Sequence, residues 1–417
     1  MLRTMSKLKI IVYSILPGIF LIGYNIGTGS VTAMSKAGAN FGLDLLWAVF
    51  LSCLITYYLI VHFSKYTMVT GQTFIQGMKD HVHPAFAIVF LIALSVIIIS
   101  ALIGLLGIIS EVLQVYIETI FRVKTPIIIW AATIGFGIYF ILWMGNYSFF
   151  EKVLAILVSI MGIAFIVTAM INFPSASELA QGFIPSIPKT AEGSDNGPLV
   201  IVAGMVGTTV SVFVFIIRTQ IVREIGWTMR EKKIQNRDAI VSASMMFIIG
   251  SAIIITAATT LYILGIRLNN VIEMIPLLEP VAGKAAISVF TLGILAAGIS
   301  SHLPNMLVIP WLIIDYKKKP RDTQTRFNRI LLLILTLFSI LGASMGFRPV
   351  FIMMLSQACI SIVLPITIAT IFYLTSSRSL MKDFTNKVPD VIILSFVMVF
   401  SLYMSWMGIR GLIIDLI

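Results

Sequence analysis

Charged residues are scarce in this sequence of 417 residues, of which only 11% are Asp, Glu, Lys or Arg and 59% are hydrophobic. A soluble globular chain carries about 25% charged residues and is about 45–50% apolar. The scarcity of charge therefore excludes a soluble enzyme, a disordered chain and a fibrous repeat. Cysteine is rare as well, since the chain has only Cys53 and Cys359, both within apolar runs. Their small number excludes a disulfide framework and a cysteine-rich metal site.

Long apolar runs are what the sequence has in place of charge. A helix that crosses a bilayer takes about 20 residues, and eleven runs of about that length occur along the chain. The sequence therefore predicts an all-α polytopic membrane protein with about eleven transmembrane helices, whose surroundings are the lipid bilayer of the cell membrane. The predicted spans lie at about 10–36, 43–64, 85–108, 126–145, 148–171, 198–222, 238–265, 285–314, 328–346, 349–374 and 388–409.

The basic residues set the predicted orientation. Lys and Arg number 29 against 18 Asp and Glu, a net charge of +11. With the N-terminus inside, 21 of the 29 basic residues fall in inner segments and 8 in outer segments. Because inner loops are enriched in Lys and Arg, we expect a cytoplasmic N-terminus and a C-terminus outside. The positive charge thus reflects topology and not a nucleic-acid partner, and no pattern indicates an oligomeric state.

Two predicted spans are interrupted at corresponding places. The first span contains Gly27-Thr28 and the sixth contains Gly207-Thr208, 180 residues further along the chain. Five spans separate the two breaks, so the second copy is inverted relative to the first, which indicates an inverted-topology repeat. The predicted organisation is a first half, an outer connecting loop, a second half, and an inner loop with an additional span, at 1–171, 172–197, 198–374 and 375–417.

Glycine and hydroxyl residues at mid-span have a physical use. Backbone groups freed inside a bilayer must find partners, so unwound backbone persists only where it lines a cavity. The ends of the half-helices then present dipoles to a solute at the bilayer midplane. Two plainer interpretations stay open: the glycines allow close helix packing, and the Ser and Thr hydroxyls bond to carbonyls of their own helices.

From these breaks outward, the chain resembles the Nramp family of divalent-metal transporters. The resemblance rests on patches distributed over nearly the whole chain. It implies a LeuT-type fold, with ten core helices in two inverted halves, broken helices 1 and 6 and one extra helix, and secondary transport by alternating access. The patches are LPGIF at 16–20, AGANFG at 37–42, VTG at 69–71, VGTTV at 206–210, AAGISS at 296–301 and LSQ at 355–357.

The chain departs from this family at its metal ligands. The family's first break reads Asp-Pro-Gly-Asn, where this sequence has Gly27-Thr28-Gly29-Ser30. Its sixth span continues Met-Pro-His, where this sequence has Ser211-Val212-Phe213, and the acidic residues of its third span are replaced here by uncharged ones. Only Gln357 matches a position that contributes to the family's metal site.

A neutral site favours an organic cargo. None of the 18 acidic residues lies in the middle third of a predicted span, and a dication in a site of low dielectric constant normally needs a charged oxygen or a sulfur ligand. We therefore expect a small polar or anionic organic solute, with a proton-coupled divalent metal cation as the alternative. We expect no cofactor, and the coupling ion, H⁺ or Na⁺, stays open. The predicted substrate-binding residues are Gly27, Thr28, Gly29, Ser30, Gly207, Thr208, Thr209, Ser211 and Gln357.

His302 is a second kind of candidate, because it is a histidine well inside a predicted span. Ionisable residues within a membrane are often functional, so His302 is a possible proton relay or gate. A neutral histidine packed between helices is the alternative. A Ser–His enzyme, with Ser30 or Ser211 beside His302, lacks both a Gly-x-Ser-x-Gly elbow and an acidic partner, so we expect no enzyme. A sensor that only binds its ligand stays open.

Overall fold

The computed structural model describes residues 27–144, 148–189, 196–270, 273, 274, 277, 286–319, 322 and 324–416, and in these residues the regular structure is helical. The predicted first half of span one, at 10–26, lies outside the described residues. The helices are α1 (Thr28–Phe41), α2 (Leu46–Thr70), α3 (Phe74–His81), α4 (Pro84–Phe121), α5 (Ile127–Met144), α6 (Ser148–Ile171), α7 (Ala176–Gly182), α8 (Pro198–Thr209), α9 (Val212–Ile225), α10 (Lys232–Ala257), α11 (Ala286–Tyr316), α12 (Arg326–Ser344), α13 (Pro349–Ser376), α14 (Arg378–Met381) and α15 (Val388–Leu416).

The helices confirm the predicted all-α membrane architecture. Within the described part of the chain, nine helical segments are long and apolar enough to cross a membrane, with α8 and α9 together forming one of them. These nine coincide with nine of the eleven predicted spans. The two others correspond to α1, which is the described part of span one, and to α6, which covers span five. The division of the chain into two inverted halves stays a prediction.

The sixth span is broken where the sequence predicts. Helix α8 ends at Thr209, Val210 and Ser211 leave the helical conformation, and α9 begins at Val212. The hydroxyl of Thr56 on α2 donates a hydrogen bond of 2.9 Å to the carbonyl of Thr209. This bond satisfies a carbonyl at the helix end, as a bilayer requires. At the other break, α1 begins at Thr28 after Gly27 in an extended conformation.

The broken helices lie at the centre of the molecule. Every residue of α1 is buried, and the apolar window of α8 and α9 is buried throughout. Helix α13 packs against α4, α8 and α15, and α10 packs against α1 and α2. Large apolar side chains of α5 and α15 are exposed on the outside of the bundle, where lipid would cover them. The unbroken helices thus shield the polar breaks from the bilayer.

A buried ion pair fixes the second half of span six. Arg218 on α9 and Asp238 on α10 are both fully buried, and Nη1 of Arg218 lies 2.5 Å from Oδ2 of Asp238. Nε of Arg218 donates a further hydrogen bond of 2.9 Å to the hydroxyl of Ser64 on α2. A buried charge needs such partners, because its desolvation is costly. The pair therefore holds α9 against α2 and α10.

We call the side of the molecule that carries Lys317–Lys319 the inner side, because the distribution of basic residues predicts that these lysines lie in an inner loop.

Candidate transport site between the two helix breaks

A small cavity lies where the two breaks meet. Its volume is about 40 Å³, and its walls come from α1, α4, α8, α9, α11 and α13. It holds six of the predicted site residues: Gly27, Gly29, Ser30, Thr208, Ser211 and Gln357. Its other lining residues are Ile98, Ala101, Leu105, Phe213, Ser301, Asn305, Met353 and Ile360.

One hydrogen bond joins the two breaks directly. Oγ of Ser30 on α1 lies 2.5 Å from Oγ1 of Thr208 on α8, and both side chains are buried. The two residues are 178 positions apart in the sequence. The two breaks therefore meet in space, and a contact between two hydroxyl groups joins them at the cavity wall.

Two glycines let Gln357 of α13 approach both breaks. A Cβ on Gly29 would lie 2.3 Å from Cε of Met353 and 2.7 Å from Nε2 of Gln357. A Cβ on Gly207 would lie 2.0 Å from the carbonyl oxygen of Gln357. Real Cβ atoms do not approach other atoms so closely, so the absence of side chains at Gly29 and Gly207 positions α13. Gly207 thus acts through packing and does not line the cavity.

Two of the predicted hydroxyls point elsewhere. Oγ1 of Thr209 donates to the carbonyl of Met205 at 3.0 Å, so it bonds to its own helix. Thr28 is fully buried but does not line the cavity. Its hydroxyl lies 3.3 Å from the position of a Cβ on Gly298, and therefore faces α11. For Thr209 the plainer interpretation, a hydroxyl bonded to a helix carbonyl, describes the side chain.

Met353 and Asn305 are cavity residues that the sequence argument did not single out as site residues. Met353 lies on α13 one helical turn before Gln357, and Asn305 lies on α11. The spacing of four residues between Met353 and Gln357 was an available signal, since residues at that spacing share one face of a helix. A thioether is a soft metal ligand. Met353 therefore adds a sulfur donor to a wall that otherwise offers hydroxyl and amide groups.

The cavity contains helix ends but no acidic side chain. None of its lining residues is Asp or Glu, and the described residues include no cluster of three or more His, Cys, Asp or Glu side chains that could hold a metal. The N-termini of α1 and α9 both begin at the cavity, and neither has a side-chain cap. The C-terminus of α8 ends there as well. Positive and negative helix-dipole ends therefore meet at the same place.

An apolar layer and a polar network close the inner side of the cavity. Phe213 and Ile216 of α9 pack against Val308, Trp311 and Leu312 of α11, and no space for a water molecule remains between them. Such packing blocks passage of a hydrated solute towards the inner side in this conformation.

Asp315 is the centre of the polar network, which lies inward of this layer. Its carboxylate accepts hydrogen bonds from Thr73 at 2.7 Å, Gln76 at 2.9 Å and Gln220 at 3.3 Å. Nη1 of Arg223 lies 3.4 Å from the same carboxylate. We call these five residues the inner network. It joins α11 to α9, which follows the break, and to the segment that leads into α3.

Residues 266–270, 273 and 274 lie over the outer end of α1. Nζ of Lys36, a fully buried side chain, donates to Oδ1 of Asn269 at 3.4 Å. Nη1 of Arg267 donates to the carbonyl of Ala39 at 2.8 Å. The carboxylate of Glu273 accepts a hydrogen bond of 2.6 Å from the backbone N–H of Asn269. These contacts tie the outer cover to α1.

His302 lies inside α11 and is 1% exposed. Its Nδ1 has no hydrogen-bond partner in the described part of the chain. Its neighbour Ser301 lines the cavity, whereas His302 does not. The imidazole therefore lies beside the cavity without forming its wall, and the role of proton relay stays a prediction.

The comparisons with known proteins agree with the fold. The family model described as natural resistance-associated macrophage protein-like, Nramp, matches residues 18–409. A divalent metal cation transporter MntH from Caldanaerobacter subterraneus is 23% identical over 399 residues, which cover 93% of this chain and 91% of that relative.

Solved structures show the same fold. The manganese transporter of Eremococcus coleocola superimposes with a TM-score of 0.71 at 16% identity, and covers 98% of this chain and 87% of its own. MhsT in complex with L-phenylalanine has a TM-score of 0.58 at 14% identity, and covers 95% of this chain and 98% of its own. These likenesses confirm the predicted LeuT-type fold.

Proposed function

Because this chain belongs to the Nramp family, we propose that it is a secondary transporter that moves a divalent metal cation through the cavity by alternating access. Its curated relatives are named divalent metal cation transporters. The comparisons thus favour the metal cation over the organic solute expected from the sequence, which reverses the order of the two candidates. As an integral membrane protein it would act in the cell membrane, and its orientation remains the one predicted from the basic residues.

The size and the donors of the cavity carry this proposal. A water molecule needs about 10–15 Å³ of such volume, so a cavity of about 40 Å³ suits an ion with little or no hydration shell. The candidate ligands are the Ser30 and Thr208 hydroxyls, the Met353 thioether and the Gln357 amide oxygen. They approach the cavity from both breaks and from α13.

Neutral donors determine which cations should bind. Hard cations such as Mg²⁺ and Ca²⁺ prefer charged oxygen ligands, and the lining residues supply none. Sulfur prefers softer metals. We therefore propose that Fe²⁺ or Cd²⁺, and more weakly Mn²⁺, is bound in preference to Mg²⁺, and that all of them are bound more weakly than by a site with a carboxylate ligand.

Uptake into proteoliposomes tests the proposal. The purified chain should accumulate Mn²⁺ saturably, and excess Cd²⁺ should compete while Mg²⁺ should not. Met353→Leu and Gln357→Leu should each reduce uptake at least tenfold. Met144→Leu, at an exposed position of α5, is the matched control and should transport normally. Absence of saturable uptake of Mn²⁺, Fe²⁺ and Cd²⁺ would overturn the metal proposal.

A small anionic organic solute is the second candidate, and the two helix N-termini favour it. The ends of α1 and α9 face a cavity wall without acidic side chains, and helix N-termini attract carboxylates. Gly27-Thr28-Gly29 also resembles the Gly-x-Gly break by which amino-acid transporters of this superfold hold a carboxylate. The cavity would have to enlarge for such a cargo. Thermal stabilisation of the purified chain by carboxylates or amino acids, without stabilisation by Mn²⁺, would support this candidate; a sensor would show the same binding without uptake.

A further inference from the structure

Three hydroxyl groups on one face of α1 are buried without a hydrogen-bond partner in the described part of the chain. Thr28, Thr32 and Ser35 are each fully buried. None of the three hydroxyls has a hydrogen-bond partner among the described residues. Their spacing of four and three residues places them on one face of the helix. Together they form a polar stripe that runs from the break towards the outer end of α1.

Many buried hydroxyls elsewhere in the described part of the chain are satisfied within their own helices, whereas Ser52 and Thr67 on α2 also have no partner there. Ser110 donates to the carbonyl of Leu106 at 2.6 Å, and Thr336 donates to the carbonyl of Leu332 at 2.8 Å. This is the usual solution in membrane helices. An unsatisfied buried hydroxyl costs free energy, so the stripe on α1 indicates hydroxyls kept available for another partner.

The spacing of the stripe matches bridging by water. A helix rises about 1.5 Å per residue, so Thr28 and Thr32 are separated by about 6 Å along the axis, and Thr32 and Ser35 by about 4.5 Å. A water molecule that bonds to two hydroxyls spans about 5.5 Å. Single water molecules would therefore connect consecutive hydroxyls of the stripe.

The inner end of the stripe leads to a histidine. Oγ1 of Thr28 faces Gly298 on α11, 3.3 Å from the position of a Cβ there. His302 lies four residues further along α11, on the same face of the helix and towards the inner side. It is buried and its Nδ1 has no hydrogen-bond partner in the described part of the chain. None of the stripe residues lines the cargo cavity, and neither does His302.

We call the row of Ser35, Thr32 and Thr28 on α1, together with His302 on α11, the seam. Charged groups lie towards its two ends. No acidic side chain of the described residues lies within 4 Å of the ring nitrogens of His302. The described titratable groups on elements packed against α11 are Lys36, Glu111, Tyr116 and Glu118 towards the outer side and Lys79, Asp80, His81, Tyr139, Arg326 and Arg329 towards the inner side. The imidazole is therefore the titratable group at the middle of the seam.

We propose that the seam between α1 and α11 conducts protons from the outer side to His302, so that the coupling proton binds beside the cargo cavity and not within it. This inference rests on the proposed transport function. In the outward-open state a proton that passes along Ser35, Thr32 and Thr28 binds to the imidazole lone pair and makes the ring cationic. After the conformational change the same proton leaves towards the inner side, which restores the neutral ring.

Proton uptake measured with a pH dye inside proteoliposomes tests this inference. A negative-inside potassium diffusion potential drives protons inward, and Mn²⁺ uptake is recorded in parallel with and without an inward pH gradient. His302→Gln and Thr32→Val should each lower proton uptake at least tenfold and abolish the stimulation of Mn²⁺ uptake by the gradient. Thr336→Val, which removes an equally buried but satisfied hydroxyl, should leave both signals unchanged. Size-exclusion profiles and thermal unfolding confirm that each variant is folded.

The outcomes separate the two proposals. Mn²⁺ uptake by the wild-type chain without proton uptake would overturn the proton seam and leave the transport function standing. Proton uptake that persists in both His302→Gln and Thr32→Val would also overturn the seam. Absence of transport of every tested metal contradicts the proposed metal function, whereas loss of proton uptake in His302→Gln and Thr32→Val, with wild-type behaviour of Thr336→Val, supports the seam.

Discussion

The hydroxyl oxygens of Ser30 and Thr208 lie 2.5 Å apart and join the two helix breaks across the cavity. Each hydroxyl can donate or accept, so the pair presents lone pairs to a cation as well as to its partner. The bond is therefore part of the cavity wall and joins α1 directly to α8.

Ser30→Ala and Thr208→Val test this contact. A buried hydrogen bond contributes about 0.5–1.5 kcal/mol, so each single variant should lower the apparent affinity for Mn²⁺ by about two- to tenfold. The double variant should lose little more than either single variant, because the same interaction is removed. Mn²⁺ uptake is measured as a function of concentration for the wild type, the two single variants and the double variant. The comparison gives the interaction free energy between the two hydroxyls. Strictly additive losses would indicate that the two hydroxyls act independently.

Gly29→Ala should block transport while the chain still folds. The added Cβ would lie 2.3 Å from Cε of Met353 and 2.7 Å from Nε2 of Gln357. Both contacted atoms are ends of flexible side chains, so they can move, but they would move out of their positions at the cavity. We expect Mn²⁺ uptake to fall at least tenfold with a small change in melting temperature.

Gly137→Ala is the control for this prediction, because nothing lies within 4 Å of a Cβ at that position of α5. Alanine is favoured over glycine inside a helix by about 1 kcal/mol, so this variant should be as stable as the wild type or more stable, with normal uptake. Normal uptake by Gly29→Ala would show that the close approach of α13 to α1 is dispensable.

The breaks could be predicted from the sequence because they interrupt the run of apolar residues expected of a membrane-spanning helix. Glycine and hydroxyl residues in the middle of an apolar run, as at Gly207 and Thr208, are expected where helices pack closely or unwound backbone lines a cavity. The same pattern does not predict how each helix is rotated about its axis. Thr28 and Ser30 are two residues apart, yet one faces α11 and the other faces the cavity. Only the packing of the assembled helices decides that difference.

The roles of Met353 and of the inner network depend on tertiary structure more strongly than the positions of the breaks do. A methionine in an apolar span is usually packing material, so the spacing of four residues from Gln357 is a weak signal until the cavity itself is seen. Asp315 is 242 positions from Thr73 and 95 from Gln220. No local pattern predicts contacts over such distances, so the composition of the inner network could not be inferred from the sequence.

Asp315→Asn should favour an inward-open conformation. Three hydrogen-bond donors and Arg223 converge on this carboxylate. An amide cannot pair with Arg223 and offers only one acceptor oxygen, so the contacts between α11 and α9 should weaken. The measurement is labelling of Val308→Cys, in the apolar layer, by an impermeant maleimide applied from the inner side. The experiment uses a chain in which Cys53→Ala and Cys359→Ala remove the native thiols. In this chain we expect Asp315→Asn to raise the labelling of Val308→Cys several-fold.

Lys318→Ala is the matched control for Asp315→Asn. Lys318 pairs with Asp80 on the same side of the molecule, but this pair is partly exposed and lies outside the inner network. Exposed pairs contribute little, so labelling of Val308→Cys should not change. Equal labelling in the Asp315→Asn and unmodified backgrounds would show that the apolar layer alone keeps the inner side closed.

Breaking the buried pair of Arg218 and Asp238 should destabilise the protein. Both side chains are fully buried, and removal of one partner leaves an uncompensated charge, which costs about 3–5 kcal/mol. Arg218→Met and Asp238→Leu should therefore each lower the melting temperature markedly in detergent, whereas the double variant should recover much of the loss because neither charge remains. Thermal unfolding followed by intrinsic fluorescence measures all four proteins. A double variant less stable than either single one would mean that the hydrogen bond from Arg218 to Ser64, and not the ion pair, holds α9 in place.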